Sequence, residues 1–172
     1  MKKITFRGII AAAAVTLITF TGAFAQTNNV DHPTRLSAAL SIGVPTESYM
    51  GDVVIAPDLR LQHDLGQRTS LTLTTGYYGF VGGPDGNPQS DLIPLKGGAK
   101  FFFGNTFYVQ PEVGVAFATR DGGGTPFVWA PSLGYANNKW DIALRYEGFE
   151  YDGGNNGMVA VRLAYAFKRP NK

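Results

Sequence analysis

The 172-residue chain has no cysteine, 22 glycines and 13% aromatic residues, which excludes disulfide staples and lipid attachment through a cysteine, and favours strands and tight turns over helices. Its formal charge of +2 is carried by the first residues: without Lys2, Lys3 and Arg7, twelve Lys and Arg face 13 Asp and Glu. The near-neutral remainder gives no electrostatic case for a nucleic-acid partner.

Residues 1–25 read MKKITFRGIIAAAAVTLITFTGAFA, a basic start, a short apolar run and a small-x-small end. This is the pattern of a secretory signal peptide, with cleavage predicted between Ala25 and Gln26. A polar lead-in over 26–34 follows, then a single domain over 35–168 and a tail over 169–172. No later stretch is long and apolar enough for a transmembrane helix, so any crossing would be made by strands.

The domain repeats one pattern. Leu36, Ala38, Leu40, Ile42 and Val44 alternate with Ser37, Ala39, Ser41 and Gly43, a period of two that predicts a strand. The alternation returns over 53–64, 69–80, 92–103, 107–118, 126–136, 140–147 and 158–167. Eight strands of about ten residues suit the 9–11 residues of a tilted transmembrane strand. The connections DLGQR, GNT and NNK are short, whereas PTESYMGD, VGGPDGNPQSD, TRDGGGT and GFEYDGGNNG are long. Short turns at one rim and long loops at the other predict an all-β, eight-stranded antiparallel up-and-down transmembrane β-barrel. Pro57, Pro94, Pro111 and Pro131 fall inside predicted strands, where bulges or shortened pairing are expected.

Residue size separates the two faces. One carries large apolar residues and no charge; the other carries glycine, alanine and a few long charged side chains. An eight-stranded lumen is only wide enough to be filled by side chains. The small, charged face is therefore expected inside and the apolar face against lipid, although a soluble lipocalin-like barrel would share the alternation. Inside, Arg60, Lys96, Lys100, Arg145 and Arg162 meet Asp58, Glu112, Asp141 and Glu147, an expected ion-pair network that plugs the barrel. Phe103, Phe107, Trp140, Tyr165 and Phe167 toward the short turns, and Trp129 toward the loops, are expected in two interfacial aromatic girdles.

The segments DLIPLKGGAKFFFGNTFYVQPEVGVAF, APSLGYANNKWDIALRYEGFE and VAVRLAYAF resemble the small outer-membrane β-barrel family, the OmpA/OmpX-like barrels, particularly the versions found in Bacteroidetes-type bacteria. That resemblance implies an integral location in the outer membrane of a Gram-negative cell, with outer-membrane lipid as surroundings. It also implies that Tyr165 and Phe167 of the last strand are read by the barrel-assembly machinery. KRPNK follows Phe167, a departure from a strand that ends on its aromatic residue.

Catalytic chemistry finds little support. His32 lies in the lead-in and His63 at a short-turn rim, so no His-Ser-acid arrangement gathers in one neighbourhood. The loops GGPDGN, RDGGGT and YDGGNNG lack a following helix for phosphate and the alternating acids of a calcium loop. No catalytic residue, cofactor or metal is expected. The leading expectation is a non-enzymatic envelope protein acting in membrane integrity or surface interaction through its loops. The alternatives are a narrow channel or small-ligand transporter, a lipid-modifying enzyme and a soluble periplasmic binding barrel.

Overall fold

A computed structural model describes residues 34–82, 91–120 and 123–167. The signal peptide with its Ala25–Gln26 junction, His32 in the lead-in and the 169–172 tail lie outside the described residues. Eight strands form the wall: β1 Thr34–Pro45, β2 Val53–Asp64, β3 in two pieces Thr69–Gly76 and Gly79–Val81, β4 Leu92–Phe103, β5 in two pieces Phe107–Gln110 and Glu112–Ala118, β6 in two pieces Phe127–Trp129 and Ser132–Ala136, β7 Trp140–Tyr151, and β8 Gly154–Ala166. Each pairs antiparallel with its neighbours in sequence. The wall closes where β1 pairs β8, from Ser37↔Ala166 to Pro45↔Met158. Closure leaves no sheet edge along the body of the barrel, the condition for placing strands in hydrocarbon.

Alternation sets the faces as residue size predicts. Leu36, Leu40, Ile42, Leu59, Leu133, Ile142, Leu144, Val161 and Leu163 point outward and are exposed, while Asp58, Arg60, Lys96, Lys100, Glu112, Arg145, Glu147 and Arg162 are buried inside. Leu133 is 59% and Ile42 57% exposed whereas Arg162 and Lys96 are 0%, an inversion of the soluble-protein rule that only a lipid solvent makes favourable.

The prolines break the ladder without bending it. Pro111 and Pro131 sit between the two pieces of β5 and of β6, yet Gln110↔Ser132 on one side and Val113↔Trp129 on the other leave equal numbers of residues between them. The register therefore runs through, and the expected bulge is absent there. The same holds beside Pro57, where Asp58↔Gly76 and Ile55↔Gly79 bracket the gap in β3. Each of these prolines still accepts through its carbonyl: Pro57 from Tyr77, Pro111 from Ala99 and Pro131 from Tyr146. None can donate in return, so three short-turn hairpins each lose one ladder bond.

Two further expectations are corrected. The long connection predicted over 148–157 is mostly strand: β7 and β8 stay paired from Gly148↔Gly157 to Tyr151↔Gly154, leaving a tight turn at Asp152 and Gly153 on a protruding hairpin. The lumen is also not small and polar throughout. At the loop end, Met50, Val54, Tyr78, Phe80, Leu92, Val128, Phe149 and Met158 pack into an apolar cap. Met50 enters from a single 3-10 turn, Ser48–Met50, and the chain then leaves through Gly51 at φ 137°, where a Cβ would lie 3.0 Å from the Val81 carbonyl oxygen. Val54, Tyr78, Phe80, Leu92, Val128 and Met158 lie within the predicted strands on the inward parity, where small or charged residues are expected, and only Met50 and Phe149 come from predicted connections, so residue size points away from a core at this end.

Candidate functional site

Below the cap the lumen is a ladder of charged layers, each supplied by inward positions of facing strands. Nearest the short-turn rim, Arg35 pairs with Asp64 at 2.8 Å, and Asp64 also accepts from Gln62 at 2.8 Å and Ser70 at 2.6 Å. Above it Lys100 donates to Asp141 at 2.6 Å, and Tyr108 donates to the other oxygen of the same carboxylate at 2.5 Å. The Lys100 ammonium lies 4.0 Å from the Tyr108 ring centroid, a cation–π contact inside the barrel. Tyr108 fits because the residue across from it is Gly134: a Cβ there would come within 2.5 Å of the phenol.

The middle of the lumen is the densest part. Arg162 grips Asp58 with two bonds, 2.8 Å from Nε and 2.6 Å from Nη2, the fork geometry that makes arginine–carboxylate pairs strong. Arg60 donates to Thr74, Gln110 and Glu112, each at 3.0 Å. Thr74 in turn donates to Glu112 at 2.6 Å, and Gln110 to Thr72 at 3.2 Å. Above them Arg145 bridges Glu112 at 3.2 Å and Glu147 at 3.0 Å. Glu147 also takes Lys96 at 2.9 Å and the Tyr78 hydroxyl, which itself accepts from Lys96 at 2.6 Å. Tyr78 then packs edge-on against Phe149 of the cap, with ring centroids 5.8 Å apart.

All nine lumen charges picked from sequence thus lie inside the barrel and in contact with a partner of opposite sign. Sequence reasoning missed Tyr78 and Tyr108, too large for a lumen expected to be small, and the mouth cluster of Arg35 and Asp64. Their inward parity was the available signal. The outward aromatics occupy two levels. Phe107 packs edge-on against Tyr135 at 5.4 Å, Trp140 against Tyr165 at 5.1 Å and Tyr165 against Phe167 at 5.8 Å near the short turns, with Phe103 exposed beside them. Nearer the loops Trp129 packs on Tyr146 at 5.1 Å, and the two rings cover Gly148 and Gly157, where any Cβ would collide with them.

A cavity of about 250 Å3 opens at the short-turn mouth, lined among others by Gln62, Asp64, Lys100, Trp140 and Asp141. It ends on the Lys100–Asp141 layer. His63 sits on the outward parity of β2 and contacts Thr34 Oγ1 at 2.8 Å. Among the described residues no group of His, Cys, Asp or Glu is arranged to hold a metal ion.

No protein-family model and no curated protein sequence matches this chain. Solved structures do. Ail, the attachment invasion locus protein of Yersinia pestis, aligns with a TM-score of 0.55 at 10% identity, over 80% of this chain and 100% of its own. Neisserial surface protein A aligns at 0.50 and 13% identity, over 78% and 97%. A de novo designed transmembrane β-barrel aligns at 0.52 and 12%, over 77% and 95%. The likeness is one of fold: an eight-stranded antiparallel transmembrane barrel. With an outward band that is apolar and uncharged between the two levels of aromatic residues, the chain is an integral membrane barrel of the outer-membrane type.

Proposed function

We propose that the protein is a non-enzymatic outer-membrane barrel that serves envelope integrity or surface interaction through its loop rim. The supporting observation is the filled lumen: charged layers run from the mouth to the level of Tyr78, and the apolar cap closes the loop end. A through-channel would need water along that axis, and the cap offers it no polar partner. Outer-membrane lipid then surrounds the wall, and the barrel-assembly machinery reads the aromatic end of β8 at Tyr165 and Phe167. The hairpin patterns of 91–117 and 130–150 support the finer OmpA/OmpX-like placement.

The loop rim itself is acidic. Glu47, Asp52, Asp91, Glu150 and Asp152 lie there against Arg120 among the described residues. One structure of Ail was solved with the heparin analogue sucrose octasulfate; an acidic rim disfavours a polyanion of that kind here and favours a cationic partner or cation-bridged lipid. The test is purified protein in planar bilayers. Background current across ordinary voltages is expected, and stays at background in Arg145→Ala and Glu112→Ala; a stable unitary conductance altered by either substitution would overturn the closed-barrel reading in favour of a channel.

A further inference from the structure

The lumen holds five cations and four carboxylates between the mouth cluster and the cap. Four direct pairings use every carboxylate: Asp58 serves Arg162, Asp141 serves Lys100, Glu112 serves Arg60 and Glu147 serves Lys96. Arg145 is left to share Glu112 and Glu147 with cations that already hold them, and so carries the surplus charge. Its hydrogen bonding agrees. Only Nη1 donates, to Glu147 at 3.0 Å; Nη2 lies 3.2 Å from Glu112 Oε2 without forming a hydrogen bond, and Nε is buried without an acceptor.

Two other buried groups make no hydrogen bond, Arg162 Nη1 and Ser41 Oγ. Arg162 Nη1 approaches no nearer than 3.8 Å to Asp141. The register gathers the three residues on consecutive strands. Ser41 of β1 stands opposite Arg162 of β8, and Arg145 of β7 stands opposite Ala160, one inward position from Arg162. All three are at most 2% exposed. A guanidinium cannot shed its proton to escape burial, and unmet donors in a low-dielectric interior are costly. Water can accept the hydrogen bonds but leaves the surplus charge in place. A monovalent anion does both, whereas a divalent one would reverse the imbalance.

We propose that the lumen holds one chloride-class monovalent anion between Arg145 and Arg162, within reach of the Ser41 hydroxyl, taken up as the barrel folds. The site neutralises the ladder; it belongs to neither the mouth cavity nor the loop rim, and does not depend on the proposed surface role. The direct test is the mature protein refolded and crystallised in bromide, with data collected at the bromine edge. An anomalous peak contacted by Arg145 and Arg162 is expected; water alone there, or bromide confined to the exterior, would overturn the proposal. A solution test uses the temperature of the gel-mobility shift after refolding in sodium chloride or in sodium gluconate at equal ionic strength. The natural protein is expected to unfold at higher temperature in chloride, and Arg145→Met, which removes the surplus charge, at the same temperature in both. Equal temperatures for the natural protein would count against the site, and the bromide experiment decides independently if Arg145→Met does not fold.

Discussion

Inside this barrel each charge is held by its neighbours, and the consequences of removing one follow from what is left behind. Asp58 is gripped by Arg162 at 2.8 and 2.6 Å. Asp58→Ala strands a buried guanidinium and is expected to cost about 3–5 kcal/mol, whereas replacing both partners with apolar residues, Asp58→Leu with Arg162→Met, is expected to be near neutral. Urea unfolding in lipid vesicles measures both; a double variant as damaged as the single would show that the pair contributes more than the relief of its own desolvation. On the outer face the sign reverses. Leu144→Arg places a charge in hydrocarbon and is expected to cost about 2–4 kcal/mol, by the same measurement.

At the level of strands, the unusual feature is the set of outward prolines in three short-turn hairpins. Tyr146 donates to the Pro131 carbonyl at 3.1 Å, but Pro131 has no N–H to return to Tyr146. Pro131→Ala restores that donor. Proline gains about 0.4–1 kcal/mol from restricting the unfolded chain, less than the several kcal/mol of an unpaired carbonyl in lipid, so the variant is expected to be more stable. A loss of stability would mean that the carbonyl already finds another donor. The hairpin beyond Gly148↔Gly157 behaves differently, since its tip bears no part of the wall. A short epitope inserted between Asp152 and Gly153 is expected to leave the folded gel mobility intact, whereas one between Gly97 and Gly98, inside β4, abolishes it. Surface labelling of intact cells at the first insertion then reports which rim faces outward.

For the molecule as a whole, closure makes unfolding an all-or-none event, because opening one seam exposes ladder groups that lipid cannot satisfy. Unheated protein from isolated outer membranes is therefore expected to run as a compact species in SDS and to shift on boiling. Recovery as soluble protein with no shift would contradict the outward apolar face. The two ends of the molecule differ: a polar cavity at the short turns, and an apolar cap under an acidic rim at the loops. On the proposed closed-barrel function, exchange of small solutes is confined to the short-turn end, and partners are met at the other.

Strand count, the face of every strand and the nine charges of the central lumen are legible in the chain alone, though not the mouth pair Arg35 and Asp64, because period-two alternation is local and residue size separates a lumen from lipid. Ile42, Leu144, Arg60 and Glu112 each lie on the face their parity predicts. Which charge meets which is visible only in the folded barrel, since Arg60 and Glu112 are brought together by closure across strands distant in sequence, and a carboxylate's partner is set by curvature and stagger rather than by spacing. The tertiary structure also decided that the 148–157 segment is a hairpin and that Met50, Phe80 and Phe149 form a cap, because whether a polar or glycine-rich stretch pairs depends on the neighbouring strand, and whether an aromatic residue is core depends on what stands across the lumen.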